Sequence, residues 1–274
     1  MYPGLVSNCW RSQLSSGVDL VELIAEAADR GLQVIELRQG CLGSYESGDT
    51  DIPDALRLSE LPQRFPSLSF SIAMSVPFLC ELSSADDLLL DAGRNAAVAV
   101  AGVRQPHLRL VDLDSPFEID AAVARTNLVR MCQGMESCDG VLSVEHAFQS
   151  WHGFIGALRS ARGTLGRQQH RLRLCFDPCN LCIADAAVDV AVAARSLEPD
   201  EVSMIHLKQC RDGSVLSDVS DGCVNWRAIG DVLNSMPFQG PALFEVSSGS
   251  EIWTQISASR KYLEQLGLLL TPPH

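Results

Sequence analysis

Apolar and polar positions follow two alternating periods along most of the chain. Short apolar runs, typical of buried strands, are followed by stretches in which apolar residues recur every three or four positions, typical of helices that face a core. The first pair is an apolar run at 3–8 followed by helical spacing over 18–30, with Gly31 suited to end the helix. This pattern predicts a strand and a helix that returns the chain to a second strand at 33–38.

The same pair recurs to the end of the chain and predicts eight strands, each followed by a helix. The predicted strands are 3–8, 33–38, 68–74, 107–112, 140–145, 171–177, 202–208 and 241–245. The predicted helices are 18–30, 52–64, 85–103, 119–136, 154–162, 186–197, 224–234 and 252–266. Parallel strands need helical crossovers, and eight such units close a sheet. We therefore predict an α/β (β/α)8 TIM barrel, a single domain spanning residues 1–274. A doubly wound open sheet is the structural alternative.

Polar residues stand at the ends of the last four predicted strands. Strands five to eight end in Glu145, Asp177, His206 and Glu245. Barrel enzymes place their sites at these ends, so the four side chains should converge. Three carboxylates placed together either have raised pKa values or surround a cation. We predict that all four bind one divalent metal ion, with Mn, Mg, Co or Zn favoured by the oxygen and nitrogen donors.

The seventh strand carries two of the polar groups on one face. Met204, His206 and Lys208 alternate with Ser203 and its neighbours, so the first three should point the same way. Taken alone, His206 is more typical of a buried histidine with a hydrogen-bond partner. Between two acidic strand ends it becomes the one predicted nitrogen ligand. Lys208 is predicted either to polarise a substrate carbonyl or to bridge the ligand carboxylates.

Several short segments together carry a resemblance to a known family. They are Ile35-Glu-Leu37, Ser143-Val-Glu145, Phe176-Asp-Pro-Cys-Asn180, Ile205-His-Leu-Lys208, Gly222-Cys-Val-Asn-Trp226 and Leu243-Phe-Glu245. In order and spacing, nearly the whole chain resembles the xylose isomerase-like TIM barrel superfamily (the sugar phosphate isomerase/epimerase family). That superfamily includes sugar isomerases and epimerases, inosose dehydratases and endonuclease IV type repair enzymes.

This resemblance implies a reaction in which Glu145 and Glu245 bind the metal and flank a substrate carbon. One glutamate removes a proton to give a metal-stabilised enediolate, and the other returns it. The expected enzyme is a metal-dependent isomerase or epimerase of a sugar, sugar phosphate or cyclitol, with Lys208 as a third catalytic residue. An inosose-type dehydratase, a metal-dependent hydrolase and a non-catalytic polyol-binding barrel are the alternatives.

Three positions depart from the family pattern. The family often has His-x-Pro at the end of strand three, where this chain has Ser75-Val-Pro77. It often has an aspartate where this chain has Gln209, and many sugar epimerases have a second histidine where this chain has Asn180. These changes argue against a trinuclear zinc nuclease and leave the substrate open.

Candidate substrate-binding residues follow from their predicted places at the barrel mouth. Glu36 ends strand two, and Trp10 and His152 lie in loops where they would cover or reach a substrate, although loop packing is the more common role for such a tryptophan. Asn180 and Arg211 follow strands six and seven, and Arg211 could hold a phosphate or carboxylate or simply be solvated. These five residues complete the predicted site.

The resemblance implies a small-molecule sugar or polyol as the partner, with a homo-oligomer possible, and composition disfavours other classes of partner. With 34 acidic and 21 basic residues the formal net charge is −13, which disfavours nucleic acid. No apolar run approaches the roughly 18 residues of a membrane span, and no signal peptide is evident, so we expect a cytoplasmic protein.

The ten cysteines are expected to be mostly reduced and buried. The spacing Cys175-x3-Cys179-x2-Cys182 matches a radical SAM cluster loop, but it begins inside predicted strand six, which disfavours a cluster.

Overall fold

Eight parallel strands form a closed barrel in the computed structural model, which describes residues 1–47, 51–185, 187–236 and 238–269. The strands are β1 (Tyr2–Val6), β2 (Val34–Arg38), β3 (Ser69–Ser75), β4 (His107–Val111), β5 (Val141–Glu145), β6 (Leu172–Phe176), β7 (Val202–Leu207) and β8 (Pro241–Phe244). Each strand pairs with its sequence neighbours, and β1 pairs with both β2 and β8. The predicted (β/α)8 barrel is therefore confirmed over an open doubly wound sheet.

Helices connect successive strands on the outside of the barrel. They are α1 (Arg11–Ser15), α2 (Leu20–Asp29), α3 (Ala55–Leu58), α4 (Leu61–Arg64), α5 (Ser84–Ala101), α6 (Ala121–Gly134), α7 (Trp151–Leu165), α8 (Pro178–Ala184), α9 (Val190–Arg195), α10 (Trp226–Ser235) and α11 (Ile252–Gln265). Gly31 follows α2 with a φ of 75°, the left-handed conformation that its position after the helix predicts. In the described part of the chain, no helix combines the length and apolar character needed to cross a membrane.

The largest differences from the sequence prediction lie in the loops at the carboxyl ends of the strands. Helix α8 was not predicted, yet Asp177 caps it and Pro178 occupies its first turn, a combination that favours helix initiation. The predicted helix 52–64 is two short helices. The predicted helix 186–197 is observed at Val190–Arg195, and residue 186 lies outside the described residues. That residues 1–274 form a single domain stays a prediction.

An apolar cluster and a polar cluster share the interior of the barrel. The apolar side chains are fully or almost fully buried: Val6, Val34, Cys175, Met204 and Leu243. The polar cluster contains Glu36, Arg109 and His206, each at most 1% exposed. Barrel interiors are usually filled by branched apolar residues, so charges at this depth require partners within the protein. All ten cysteines are free thiols, and six of them are buried.

Ser203 does not lie where strict alternation predicts. A register shift between β6 and β7 at Leu174 and Cys175 turns it towards the barrel interior. There its Oγ accepts a hydrogen bond from Ser143 Oγ on β5 at 2.7 Å, although β5 and β7 are not neighbours. The prediction that Ser203 faces away from Met204 and His206 is therefore corrected by a β-bulge.

Gly4 on β1 provides a test of how tightly the barrel closes. A Cβ at this position would lie 2.5 Å from the Val34 backbone oxygen and 2.3 Å from Leu243 Cδ2. We expect Gly4→Ala to lower the free energy of unfolding by about 1–3 kcal/mol, because the backbone of β2 must move to accept the methyl group. Urea denaturation measures this change.

Gly156→Ala is the matched control. A Cβ there has no heavy atom within 4 Å and the residue lies inside α7, so stability should rise by about 0.5–1 kcal/mol. Equal effects of the two substitutions would contradict the close approach of β1 to its neighbours.

Candidate metal centre

Four consecutive strands bring their last polar side chains to one point. Glu145, Asp177, His206 and Glu245 each offer an atom to a group in which all these atoms lie within 4.8 Å of one another. All four residues are at most 9% exposed. The parallel register places these strand ends side by side. The structure thus brings together the four residues that the strand ends predict as metal ligands.

His206 lies at the centre of the group. Its Nδ1 is 2.9 Å from Glu245 Oε2, 3.5 Å from Glu145 Oε1 and 3.7 Å from Asp177 Oδ2. On the opposite side, its Nε2 is 3.4 Å from Glu36 Oε2. Burial opposes a charge on the ring, but Cys175, Glu145 and Glu245 together raise the pKa of His206 well above its usual value. The imidazole is therefore surrounded by groups that favour a cation at its position.

Lys208 bridges two of the four carboxylates that surround His206, which is one of the two roles predicted for it. Its Nζ lies 2.7 Å from Asp177 Oδ2 and 2.6 Å from Glu245 Oε2. Burial alone would raise the pKa of Asp177, but the Lys208 ammonium outweighs it and holds that pKa at about 2. Lys208 and then His206 likewise hold the pKa of Glu245 well below its usual value against the effect of burial. Both carboxylates are therefore ionised.

Arg109 on β4 is the main site residue that the sequence reasoning missed. Its guanidinium contacts Glu36 Oε2 through Nη2 at 2.6 Å and Glu145 Oε2 through Nη1 at 2.6 Å. Burial would raise the pKa of Glu36, but Arg109, with a contribution from His206, lowers it to about 2. Arg109 thus holds one oxygen of Glu145 and leaves the other to face His206.

A signal for Arg109 was present in the sequence. It stands in the middle of the strand His107–Val111, where both faces of a barrel strand are covered. An arginine at such a position has no solvent-facing side and needs an internal carboxylate. Glu145 at the end of the neighbouring strand β5 is one such carboxylate, whereas Glu36 on β2 meets Arg109 only across the intervening β3 and could not be named in advance.

Two amides orient the glutamates. Asn180 Nδ2 donates to Glu145 Oε1 at 2.8 Å and to the His146 carbonyl at 3.0 Å. Asn8, which was not predicted, donates from Nδ2 to Glu245 Oε1 at 2.7 Å. Asn180 therefore lies at the site as expected, and it contacts a predicted ligand directly.

The other candidate substrate-binding residues lie elsewhere. Trp10 is fully buried against Trp253, with ring centroids 5.9 Å apart, because the turn after β1 folds it into the core. His152 is exposed in the first turn of α7, and Arg211 is exposed in a short hairpin, where it donates to the Asp221 carbonyl. Glu36 is inside the barrel, beneath the four candidate ligands Glu145, Asp177, His206 and Glu245 (the metal group), rather than at a substrate surface. That these four residues contact a substrate stays a prediction.

The donor atoms fit a divalent cation. Asp177 Oδ2, Glu245 Oε2 and His206 Nδ1 are buried and make no hydrogen bond of good geometry to the residues described, although the two oxygens lie within ion-pair distance of Lys208 Nζ. Each carboxylate oxygen therefore keeps a lone pair for an ion, and the buried imidazole nitrogen keeps its own. Three carboxylates and one imidazole form a donor set suited to Mn²⁺, Co²⁺, Zn²⁺ or Mg²⁺.

Arg109→Met tests the buried charge network. Loss of the guanidinium leaves Glu36 and Glu145 without their cation, so unfolding free energy should fall by about 3–5 kcal/mol. The double variant Glu36→Gln/Arg109→Met should be less destabilised, because one of the two orphaned charges is also removed. Chemical denaturation of the purified variants measures both values.

Arg130→Met is the matched control for this experiment. Arg130 pairs with Asp87 at 2.9 Å, but both side chains are 52% exposed, so the loss should stay below about 1 kcal/mol. If the double variant is at least as unstable as Arg109→Met, then the buried charge of Glu36 does not depend on Arg109 for its stabilisation.

Comparison with known proteins agrees with this architecture. No family model matches the sequence, and no curated protein matches it. Among solved structures, a xylose isomerase domain protein from Salmonella typhimurium has a TM-score of 0.71 at 15% identity, covering 96% of this chain and 97% of that chain. The IolI protein with a bound zinc atom has a TM-score of 0.67 at 12% identity, covering 98% and 97%.

A third similar structure is a D-allulose 3-epimerase from Methylomonas sp. in complex with D-allulose. It has a TM-score of 0.66 at 15% identity and covers 98% of this chain and 94% of that chain. At such identities the likeness concerns the fold. The resemblance predicted from the strand-end motifs is confirmed at that level, and the chain has the barrel fold of the xylose isomerase-like proteins.

Proposed function

We propose that this protein holds one divalent metal ion through Glu145, Asp177, His206 and Glu245, and isomerises or epimerises a sugar or related polyol. The observation that carries the proposal is the convergence of these four donors within 4.8 Å at the carboxyl ends of the strands. The zinc atom of the IolI structure and the bound D-allulose of the epimerase structure support it, since both proteins share the fold.

A bound divalent ion would polarise neighbouring hydroxyl and carbonyl oxygens of the substrate and so acidify the C–H bond between them. The protein supplies two glutamates to move that proton. Glu145 is oriented by Arg109 and Asn180, and Glu245 is oriented by Asn8 and Lys208. Each glutamate therefore has its own set of partners, which restrict the orientation of its carboxylate.

Separate supports for the two glutamates suit proton transfer on two sides of a substrate. If one glutamate removes the proton and the other returns it to the opposite face, the product is an epimer. Return to the neighbouring carbon gives an aldose–ketose isomer. Loss of a β-hydroxyl after the first transfer gives a dehydratase, which shares the first step. Lys208, 2.7 Å and 2.6 Å from two ligand oxygens, acts by keeping both of them ionised.

Metal content is the first test. Protein purified without chelators should contain close to one divalent ion per chain, or recover it after addition of Mn²⁺ or Co²⁺, measured by elemental analysis. His206→Ala removes the central nitrogen and should lower metal content several-fold. His170→Ala, at an exposed histidine outside the barrel, is the control and should retain the ion. Wild-type protein that stays metal-free after such loading would overturn the proposal.

Proton exchange is the second test. Metal-loaded protein in deuterium oxide should introduce deuterium at a carbon-bound position of its sugar, detected by NMR or mass spectrometry. Glu145→Gln and Glu245→Gln should each reduce this exchange by about 100-fold or more, because the amide cannot accept the proton. Glu22→Gln, at an exposed position of α2, should leave it unchanged.

The exchange experiment also separates the alternatives. Exchange accompanied by release of water and a new absorbance of an unsaturated product would identify a dehydratase. A metal-loaded protein that binds sugars without exchanging any proton would be a polyol-binding barrel. If the Glu245→Gln variant exchanged the proton at the wild-type rate, the proton would not pass through this glutamate.

A further inference from the structure

Arg38 is a cation at the mouth of the barrel that pairs with no carboxylate among the residues that the structure describes. It is the last residue of β2, two positions after Glu36, so both side chains lie on the interior face of that strand. Its guanidinium is partly buried and makes no ion pair or hydrogen bond to any residue that the structure describes. An arginine at such a position normally binds a carboxylate or phosphate, since five donors are otherwise left to solvent.

Strand geometry places Arg38 beside the metal group. Glu36 Oε2 lies 3.4 Å from His206 Nε2, and Arg38 is two residues further along the same face of β2, at the carboxyl end of the strand. Burial lowers the pKa of Arg38 and Arg109 lowers it further, whereas Glu245, Glu145 and Glu36 oppose this shift. These glutamates lie on or follow three different strands, and their effect agrees with the position over the barrel mouth that the strand geometry gives Arg38. Arg38 therefore faces the place where a substrate on the metal group would lie.

Once a divalent ion is bound, the positive charge of Arg38 exceeds what the central carboxylates can balance. Four carboxylates lie at the centre: Glu36, Glu145, Asp177 and Glu245. Arg109 and Lys208 balance two of these negative charges, and a divalent ion would balance the other two while His206 stays neutral as a ligand. The positive charge of Arg38 then has no counterpart among these central groups. A neutral sugar would leave the positive charge of Arg38 unbalanced, whereas an anionic substrate would neutralise it.

A cleft next to the metal group extends this positive character outwards. It has a volume of about 350 Å³, which suits a small ligand, and it is lined by Asn8, Arg11, Lys208, Val215, Glu245, Val246, Ser247 and Ser248. Arg11 is exposed in the first turn of α1. The cleft therefore joins the carboxylate of Glu245 and the ammonium of Lys208 to a second arginine at its outer edge.

We propose that the substrate of this site is an acidic sugar or polyol whose carboxylate or phosphate group is bound by Arg38, with Arg11 as a second contact. This inference rests on the proposed function and specifies its substrate class. The polyol end binds at the metal group, and the acidic end pairs with the guanidinium. A planar guanidinium binds either anion through two parallel hydrogen bonds, so both sources of negative charge are chemically equivalent at this point.

Calorimetric titration of the manganese-loaded protein tests the substrate class without requiring turnover. The probes are D-fructose, D-fructose 6-phosphate and D-glucuronate, which are neutral, phosphorylated and carboxylated. We expect at least one acidic probe to bind about tenfold more tightly than D-fructose or better. The better of the two identifies the acidic group. Binding of D-fructose as tight as that of both acidic probes, or failure of both acidic probes to bind, would overturn the inference.

Variants of Arg38 assign the effect to this residue. Arg38→Met should weaken binding of the preferred acidic probe about tenfold or more and leave D-fructose binding within about twofold. Arg38→Lys should recover part of the loss, because it restores the charge without the planar fork. Arg195→Met, at an exposed arginine of α9, is the control and should change nothing. Unchanged binding of the acidic probe in Arg38→Met overturns the inference.

Arg11→Met gives a second measurement if Arg38→Met does not fold. Arg11 is exposed, so its replacement should be tolerated, and it should weaken binding of the acidic probe by about two- to fivefold. No change on this substitution removes Arg11 from the site and contradicts the inference.

Deuterium exchange on the same samples distinguishes the two proposals. If D-fructose exchanges a proton and both acidic probes neither bind nor exchange, the substrate class is wrong and the proposed reaction stands. If an acidic probe binds through Arg38 but no sugar exchanges, the anion site stands and the reaction is wrong.

Discussion

Ionised carboxylates buried inside the barrel are the constraint on which the rest of the site depends. Glu36 and Asp177 are at most 2% exposed and remain ionised only because cations contact them. Arg109 compensates Glu36 and Glu145 from β4, and Lys208 compensates Asp177 and Glu245 from the end of β7. A buried pair contributes little net stability, but loss of one partner is costly. The buried charged groups therefore keep the site residues in place, and they occupy interior positions that apolar side chains would otherwise fill.

Local helix chemistry connects this arrangement to the outer layer of the fold. Asp177 Oδ1 accepts hydrogen bonds from the backbone N–H groups of Cys179 and Asn180, which starts α8 directly after β6. Its Oδ2 is thereby turned towards His206 and Lys208. The same helix turn carries Asn180 to Glu145. One aspartate thus begins a helix, offers an oxygen to the centre and positions an amide for the neighbouring glutamate.

The sequence predicts the periodic features well and the features that depend on two distant strands poorly. Eight apolar runs gave eight strands, and their polar last residues gave the four donors, because each depends on one segment and on parallel packing. Arg109 was missed because its partner is 73 residues away across the barrel. Trp10 turns into the core rather than towards the mouth, because loop direction, rather than loop position, decides where such a side chain points. A bulge at Ser203 changed the face of one residue, which alternation alone cannot anticipate.

Lys208 also explains how two ionised carboxylates can be buried side by side without a bound ion. Without a cation, Asp177 and Glu245 would repel each other and resist burial. The lysine ammonium, 2.7 Å and 2.6 Å from their oxygens, supplies one positive charge from within the chain. Each carboxylate oxygen keeps a second lone pair, so the ammonium need not use all the donor capacity of the site. The barrel can therefore close around these ionised carboxylates, while His206 Nδ1 and the neighbouring oxygens stay available at its centre.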